Sequence, residues 1–278
     1  MTTYCLSALP EIDEALSRAR RVLIASDFDG TLCPIADSPC EVRVAPGMAE
    51  VLRRLSTSNC IHFAVISGRA LSDMSRQVPA QTTVAGNHGL EIRGNGFAFE
   101  HPGARELRPC LALLCSALSE AVRPWPGAWV EDKGLSATVH YRKVSPQQQS
   151  SVLMAARRCA GTFGGKFALR SGKKALEVRP NISWDKGQAL NYIRDQAGPF
   201  DMCICLGDDR TDETMFRANP EQFNIKVGLT QPTDASYHLS DPGEVAVFLS
   251  HVFDVCERGV SLPANTDGAV LTATAQVK

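Results

Sequence analysis

Short apolar runs alternate with amphipathic segments over the first hundred residues of the chain. In some segments apolar residues recur at helical spacing, and in others they form brief uninterrupted runs, which predicts helices and buried strands respectively. The predicted order is helix 9–20, strand 22–27, helix 46–58, strand 61–66, helix 70–77 and strand 82–85. Strands and helices that alternate at this length indicate a parallel sheet flanked by helices.

The pattern changes between residues 103 and 180, where strands outnumber helices. The predicted elements there are helix 104–121, strands 128–132 and 135–143, helix 146–160, and strands near 166–171 and 174–178. A break rich in proline and tryptophan separates the first helix from the strands that follow it. This composition predicts a smaller α+β unit inserted into the first domain.

The alternating pattern returns after residue 180. The predicted elements are helix 185–197, strand 202–206, helix 211–219, strand 223–227 and helix 242–253. We therefore predict an α/β fold in which residues 1–102 and 181–256 form a Rossmann-like parallel-sheet core, and 103–180 form an inserted α+β cap. Residues 257–278 are rich in Ala, Thr and Val with Gly and Pro, and we predict a disordered tail.

Composition narrows the class of protein. The chain has 278 residues, of which 44% are hydrophobic and 21% charged, and its formal net charge is −1. Without a basic excess, binding to nucleic acid or to an anionic membrane is not expected. The N-terminus lacks the pattern of a secretory signal, and the ten cysteines form no CxxC pair. We predict a cytoplasmic protein with reduced thiols and leave its oligomeric state open.

Two carboxylates follow the first predicted strand. Asp27 and Asp29 are spaced i, i+2 and precede Gly30 and Thr31. Extended residues at this spacing point to the same side of a strand, so the two charges are expected to lie close together. Such a pair is costly unless a cation neutralises it or one acid holds a proton. The pattern predicts a divalent metal together with acid–base chemistry.

Other polar residues also lie at the carboxyl ends of predicted strands, where open parallel sheets bind their ligands. They are Ser67 and Arg69, Asn87 and His88, and the acidic cluster Asp208, Asp209 and Asp212. Carboxylates and waters suit Mg²⁺, and a carboxylate can serve as the nucleophile that accepts a phosphoryl group. Hydroxyls from Thr31 and Ser67 and the cation of Lys186 would then bind the phosphoryl oxygens.

The ordered set Asp27-x-Asp29-Gly30-Thr31, Ser67, Lys186 and Gly207-Asp208-Asp209-x-x-Asp212 resembles the four motifs of the haloacid dehalogenase (HAD) superfamily of phosphatases. Further segments are similar to those of the trehalose-6-phosphate phosphatase family. They are Ile66-Ser67-Gly68-Arg69, Gly86-Asn87-His88-Gly89-Leu90-Glu91, Glu131-Asp132-Lys133, His140-Tyr141-Arg142 and Glu177-Val178-Arg179-Pro180. The resemblance spans about 20–250 and implies a Mg²⁺-dependent phosphatase of trehalose biosynthesis that hydrolyses trehalose 6-phosphate to trehalose and phosphate.

The resemblance implies a role for each matching acid. Asp27 would form an aspartyl-phosphate, and Asp29 would protonate the leaving sugar oxygen and then deprotonate the attacking water. Asp208 would complete a metal site with the Asp27 carboxylate and the backbone carbonyl of Asp29. Asp209 and Asp212 would be ligands or would orient the ligands.

The remaining matches would bind substrate or support the site. Thr31, Ser67, Arg69 and Lys186 would contact phosphate, and Glu131, Lys133 and Glu177 in the cap would contact sugar hydroxyls. Asn87 and His88 would support the site from behind the ligands, His88 by stiffening the loop beside it. Simpler readings stay open, in which Lys186 is a surface lysine and the three cap residues form a surface ion-pair face.

Alternatives to the activity also stay open. The substrate could be another glycosyl phosphate, such as glucosylglycerol phosphate, because related phosphatases share most of the core. Phospho-accepting signalling modules also use clustered aspartates, Mg²⁺ and a lysine. However, an acid–base residue such as Asp29 would shorten the life of a phosphorylated switch. A catalytically silent sugar-phosphate sensor is the third alternative.

Overall fold

The computed structural model describes residues 2–36, 42–172, 174–228 and 232–260. Gly259 and Val260 are described by their backbone only. Its strands are β1 (Thr3–Tyr4), β2 (Val22–Ser26), β3 (Ile61–Ile66), β4 (Thr83–Gly86), β5 (Glu91–Arg93), β6 (Ala98–Glu100), β7 (Trp129–Asp132), β8 (Ala137–His140), β9 (Phe167–Ser171), β10 (Ala175–Pro180), β11 (Met202–Gly207), β12 (Phe223–Val227) and β13 (Tyr237–Leu239). The helices are α1 (Leu9–Arg18), α2 (Pro46–Thr57), α3 (Leu71–Met74), α4 (Pro102–Val122), α5 (Gln149–Gly161), α6 (Lys186–Ala197), α7 (Glu213–Ala218) and α8 (Pro242–Val260).

A nine-stranded sheet forms the centre of the larger unit. Its order is β1-β13-β12-β11-β2-β3-β4-β5-β6, and every pairing from β1 to β4 is parallel, whereas β4-β5 and β5-β6 are antiparallel. The central strand β2 is buried along its whole length, as expected for a parallel strand covered on both faces. The carboxyl end of β2 therefore lies near the middle of the row formed by the strand ends.

Strand alternation divides the apolar residues of the sheet between two layers. On one face, Val22 and Ile24 pack with helices α1, α2 and α8. On the other face, Leu23 and Ala25 pack with α6 and α7. Because successive side chains of a strand point to opposite faces, a single apolar run serves both layers.

A second sheet lies between the two halves of the first in sequence. Strands β7, β8, β10 and β9 form this sheet in that order, and all three pairings are antiparallel. Helices α4 and α5 cover one face with their own apolar cluster, which includes Leu114, Val139 and Val152. We call the unit formed by these four strands and two helices the cap.

The turn after β7 connects the cap to the core through several contacts. Leu135 of this turn packs with Leu90 and Ala104 in a small separate apolar cluster. The Asn87 side chain accepts a hydrogen bond from Ser136 and donates one to the Lys133 carbonyl oxygen at 3.1 Å. The turn is thus joined to the core by apolar and polar contacts at once.

The predicted α/β class with an inserted α+β unit is confirmed, and most central elements lie where the sequence places them. The strands β1, β5, β6 and β13 were not predicted, because two or three residues carry no readable periodicity. The helix predicted over 70–77 is confined to Leu71–Met74.

The prediction of a disordered tail from residue 257 is wrong for its first residues. Helix α8 continues to Val260, because the buried pair Val252 and Cys256 extends its apolar face by another turn. The rest of the predicted tail, 261–278, lies outside the described residues.

Two further predictions concern thiols and membranes. The nine cysteines within the described ranges are all free. In the same ranges, no helix combines the length and the apolar character that a bilayer crossing would require.

Candidate active site

Two distant acidic segments meet at the carboxyl edge of the central sheet. Strands β2 and β11 are parallel neighbours in which Ser26 pairs with Leu206, so Asp27 and Asp208 follow adjacent strand ends. The Asp27 backbone N–H donates to the Leu206 carbonyl oxygen at 2.9 Å. Carboxylate oxygens of Asp27, Asp208 and Asp212 lie within 4.8 Å of one another. Three acids from two chain segments therefore form one cluster.

Gly30 allows this close approach. Its φ of +89° lies in the left-handed region, and a Cβ placed there would stand 2.3 Å from a carboxylate oxygen of Asp208. Any side chain at this position would displace the Asp208 carboxylate or the loop itself. The glycine in the DxDG segment therefore has a packing reason as well as a conformational one.

Lys186 is buried between two of the acids. It opens helix α6 immediately after Asp185, whose carboxylate caps the helix by accepting from the backbone N–H groups of Gly187 and Gln188. The Lys186 Nζ donates to Asp27 at 2.6 Å and to Asp212 at 2.7 Å. The reading of Lys186 as a surface lysine is wrong, since only 2% of its surface is exposed.

Burial and charge act against each other in this cluster. Burial raises the pKa of the Asp27 carboxyl well above its ordinary value; the charges of Asp212 and Asp208 add to the shift, whereas Lys186 opposes it. Burial disfavours the Lys186 ammonium, but Asp212 and Asp27 outweigh it and raise the lysine pKa. One lysine thus leaves negative charge only partly compensated, and additional positive charge would be stabilised here.

Asp29 is held by an arginine outside this cluster. The Arg69 guanidinium donates to both carboxylate oxygens of Asp29 at 2.7 Å, and it also donates to Asp73 at 2.8 Å. Burial opposes the charged guanidinium, but Asp29 and Asp73 raise the pKa of Arg69. The bidentate pair fixes the direction of the Asp29 carboxylate.

Two hydroxyls lie beside the acids. Ser67 follows β3, is buried, and accepts from the Arg69 backbone N–H at 3.2 Å. Thr31 is fully buried, and no group in the described parts of the chain hydrogen-bonds its Oγ1. A buried hydroxyl without a partner costs free energy.

Asn87 and His88 form the loop after β4 and both adopt positive φ values, 50° and 60°. The His88 ring packs so closely on Gly68 that a Cβ there would lie 2.6 Å away. Burial lowers the pKa of His88 well below its ordinary value, and the positive charges of Arg179 and Lys186 add to the effect. His88 is therefore neutral and acts as a rigid wall of the site.

The cap residues face the core across a cleft of about 260 Å³. Lys133 Nζ donates to the Gly68 carbonyl oxygen at 3.1 Å, beside Ser67. Glu131 hydrogen-bonds His140 at 2.8 Å, and Glu177 pairs with Arg179. Burial favours the neutral acid of Glu131, but the His140 hydrogen bond and the Lys133 charge lower its pKa. The side chains of these three residues line the cleft and are 12% to 28% exposed, so they are only partly solvated. They also form ion pairs, among them Lys133 with Glu131 at 3.9 Å.

The cleft brings most of the predicted site residues together. Its lining includes Asp27, Asp29, Ser67, Arg69, His88, Glu131, Lys133, Glu177, Lys186, Asp208 and Asp209. Three predicted residues do not line the cleft: Thr31 is fully buried, Asn87 joins core to cap, and Asp212 lies below the floor. Asp212 accepts from the Asp209 backbone N–H at 2.8 Å. The sequence reading missed Trp129, which lines the same cleft. Its i, i+2 spacing from Glu131 was the available signal.

The donor set fits a hard divalent cation. Asp27, Asp208 and Asp212 offer only carboxylate oxygens, which Mg²⁺ prefers to nitrogen or sulfur ligands. The Asp29 side chain pairs with Arg69 and is not part of this group. That the backbone carbonyl of Asp29 binds the metal stays a prediction. Asp212 is part of the acidic group, whereas the sequence alone did not decide between a ligand and an orienting role for it.

The chain is similar to known proteins in sequence and fold. The chain matches the Trehalose-phosphatase family over residues 25–243. It is 32% identical to trehalose-phosphate phosphatase B of Arabidopsis thaliana, over 89% of this chain and 71% of that protein. The crystal structure of a trehalose-6-phosphate phosphatase related protein superposes with a TM-score of 0.76 at 25% identity, covering 85% of this chain and 99% of the other.

A more distant likeness concerns the fold alone. A haloacid dehalogenase-like hydrolase from Bacteroides thetaiotaomicron aligns with a TM-score of 0.59 at 16% identity, over 84% of this chain and 99% of that one. The parallel core with its inserted cap is therefore a haloacid dehalogenase-like fold. Within that fold class, the chain belongs to the trehalose-phosphatase family.

Proposed function

We propose that the protein hydrolyses trehalose 6-phosphate to trehalose and phosphate through an aspartyl-phosphate on Asp27, with Mg²⁺ as its cofactor. One observation carries the proposal. The Asp27 carboxylate lies at the floor of a cleft between core and cap, beside a buried lysine and two further acids. A carboxylate in such surroundings suits covalent phosphoryl transfer.

Asp27 attacks phosphorus, and the bond from phosphorus to the sugar oxygen breaks. Asp29 gives a proton to the leaving oxygen and later takes one from the water that hydrolyses the intermediate. The Arg69 fork occupies both oxygens of the Asp29 carboxylate, and it binds only the ionised form well. Asp29 must therefore loosen from Arg69 to act as an acid in the first step.

Positive and hydrogen-bonding groups surround the transferred group. Lys186 already contacts Asp27, and Ser67 offers a buried hydroxyl in the lining of the cleft. The Thr31 hydroxyl, which lacks a partner, does not line the cleft. Groups such as Lys186 and Ser67 stabilise charge on the equatorial oxygens of the phosphoryl group.

Asp27 and Asp208 would hold Mg²⁺, with Asp212 and Asp209 completing or orienting the set. When bound, the ion would supply positive charge to the phosphoryl oxygens and remove the repulsion among the acids. The raised pKa of Asp27 supports this requirement, since burial and two neighbouring carboxylates disfavour the anion.

The cap supplies polar contacts for a sugar. Glu131, Lys133 and Glu177 line the cleft and provide acceptors and donors toward hydroxyl groups. The turn that carries Lys133 is also joined to the core through Asn87. Closing the cap on the sugar would exclude water from the phosphoryl group during transfer.

The direct test is phosphate release from trehalose 6-phosphate by the wild-type protein and by Asp27→Asn. We expect steady Mg²⁺-dependent turnover in the wild type, abolished by chelator, and a loss of at least about a thousandfold in the variant. Circular dichroism should show an intact fold, because the amide preserves the shape of the side chain. Asp234→Asn, an acid in a surface ion pair, is the matched control and should keep normal activity.

A substrate panel separates the alternatives. Faster turnover of glucosylglycerol phosphate than of trehalose 6-phosphate would overturn the substrate assignment but keep the chemistry. A stable phosphoprotein without phosphate release would indicate a signalling module, and binding without either outcome would indicate a sensor. Near-normal turnover by Asp27→Asn would refute covalent catalysis through this residue.

A further inference from the structure

Trp129 is an exposed aromatic residue inside the cleft. It begins β7, the edge strand of the cap sheet, and 42% of its surface is exposed. The side chain of Val130 packs with the apolar cluster under the cap helices. Since side chains alternate along a strand, Trp129 and Glu131 share the opposite face, which lines the cleft.

The Trp129 ring is held in place from one side. It stacks on His140 of the neighbouring strand with ring centroids 4.2 Å apart and an interplanar angle of 13°. His140 is itself held by Glu131 through a 2.8 Å hydrogen bond. A ring fixed in this way loses little conformational entropy when a ligand covers it.

A second exposed apolar residue faces the same space. Six large hydrophobic side chains are exposed within the described parts of the chain, and two of them, Trp129 from the cap and Ile35 from the core, line this cleft. Exposed apolar surface inside a polar cleft is typical of ligand recognition. The other four lie outside the lining of the cleft.

We infer that Trp129, backed by His140, is the platform on which the sugar ring without the phosphate packs, and that it selects disaccharide over monosaccharide phosphates. This inference rests on the proposed function. Both faces of a hexose ring carry C–H groups, which pack favourably on the broad face of an indole.

The position of Trp129 along the strand supports this assignment. Lys133 directly follows β7, and its Nζ donates to the Gly68 carbonyl oxygen beside Ser67. The C-terminal end of β7 therefore lies at the phosphate side of the cleft. Two strand residues advance the chain by about 7 Å, roughly one sugar ring. Glu131 is thus placed beside the ring that carries the phosphate, and Trp129 one step farther out, beside the second ring.

The test compares kcat and KM of Trp129→Ala and Trp129→Phe with trehalose 6-phosphate, glucose 6-phosphate and p-nitrophenyl phosphate. We expect Trp129→Ala to lower kcat/KM for trehalose 6-phosphate roughly tenfold, mainly through KM, as the loss of one aromatic contact implies. The two smaller substrates should change less than twofold, and Trp129→Phe should restore most of the loss. Leu113→Ala, at an exposed apolar residue of helix α4, is the matched control and should change nothing.

Titration of intrinsic fluorescence with trehalose gives a readout that does not need turnover. Trp125 packs against the apolar cluster of the cap helices and serves as the control tryptophan. We expect trehalose to change the emission of the wild type and of Trp125→Phe, but not that of Trp129→Phe. Equal kinetic losses on all three substrates, no loss on any, or a trehalose response that survives in Trp129→Phe would overturn the inference. If the wild type releases no phosphate from trehalose 6-phosphate, the proposed function fails by itself, and the fluorescence titration still decides whether a sugar packs on Trp129.

Discussion

Replacing Lys186 with Met would test the balance of charge at the site most directly. Met keeps much of the volume of lysine but removes the charge and both hydrogen bonds, at 2.6 Å to Asp27 and 2.7 Å to Asp212. The two acceptor side chains are 8% and 0% exposed, so water cannot replace the lost donors. Removing one partner of a buried ion pair costs about 3–5 kcal/mol, and we expect a loss of that size in the free energy of unfolding.

The pH dependence of this loss has a definite sign. Without Lys186, the pKa of the Asp27 carboxyl should rise further above its unfolded value, because the remaining influences, burial and the charges of Asp212 and Asp208, favour the neutral form. The folded variant then binds more protons than the unfolded chain, so its stability increases as pH falls. The deficit relative to wild type should therefore shrink between pH 8 and pH 5.

Urea unfolding in the presence of chelator measures this deficit, and a parallel series with Mg²⁺ measures its recovery. A cation that binds only the folded acids should restore part of the stability by mass action. Arg217→Met is the control, since the Arg217–Asp234 pair is 58% and 51% exposed and should be worth less than about 1 kcal/mol. A loss in Lys186→Met no larger than in this control, or a deficit that does not change with pH, would refute the reasoning.

Two further predictions concern a glycine and a histidine. Gly30→Ala should lower kcat roughly a hundredfold in kinetic assays, because its Cβ would displace the Asp208 carboxylate. Gly96→Ala is the control and should keep its activity, since Gly96 has a similar φ of +86° but open space around it. His88→Gln should make stability less dependent on pH between about 6.5 and 5. Burial keeps His88 neutral in the folded state while the unfolded chain takes up a proton, which costs the wild type up to about 1.4 kcal/mol per pH unit as pH falls. Parallel slopes for the two proteins in urea unfolding would contradict this account.

The sequence alone predicted much of the architecture because its long elements bury continuous apolar faces. Strand β2 and helix α2 show this directly: every residue of the strand is buried, and Met48, Val51, Leu52 and Leu55 form the buried face of the helix as predicted. The short strands β5 and β6 could not be predicted in this way, since each has three residues that are held by pairing with neighbouring strands rather than by a local pattern.

The residue types of the site were also readable from the chain, since acids, hydroxyls and a lysine follow predicted strands or open a helix. That reading named Asp27, Asp208 and Lys186, but it could not decide whether the lysine was buried. The tertiary structure shows that Lys186 is buried, because helix α6 packs beside β2 and β11 and places the ammonium between two carboxylates.

What the sequence by itself determined is the order of elements and the chemistry at their ends, because hydrophobic periodicity and residue type are local properties. Tertiary structure decided which ends meet and which side chains pair. Arg69 holds Asp29, Asp212 joins the acids, and Trp129 faces the same cleft as Glu131. These contacts depend on strand order and on the placement of the cap, which arise from packing between segments far apart in the chain.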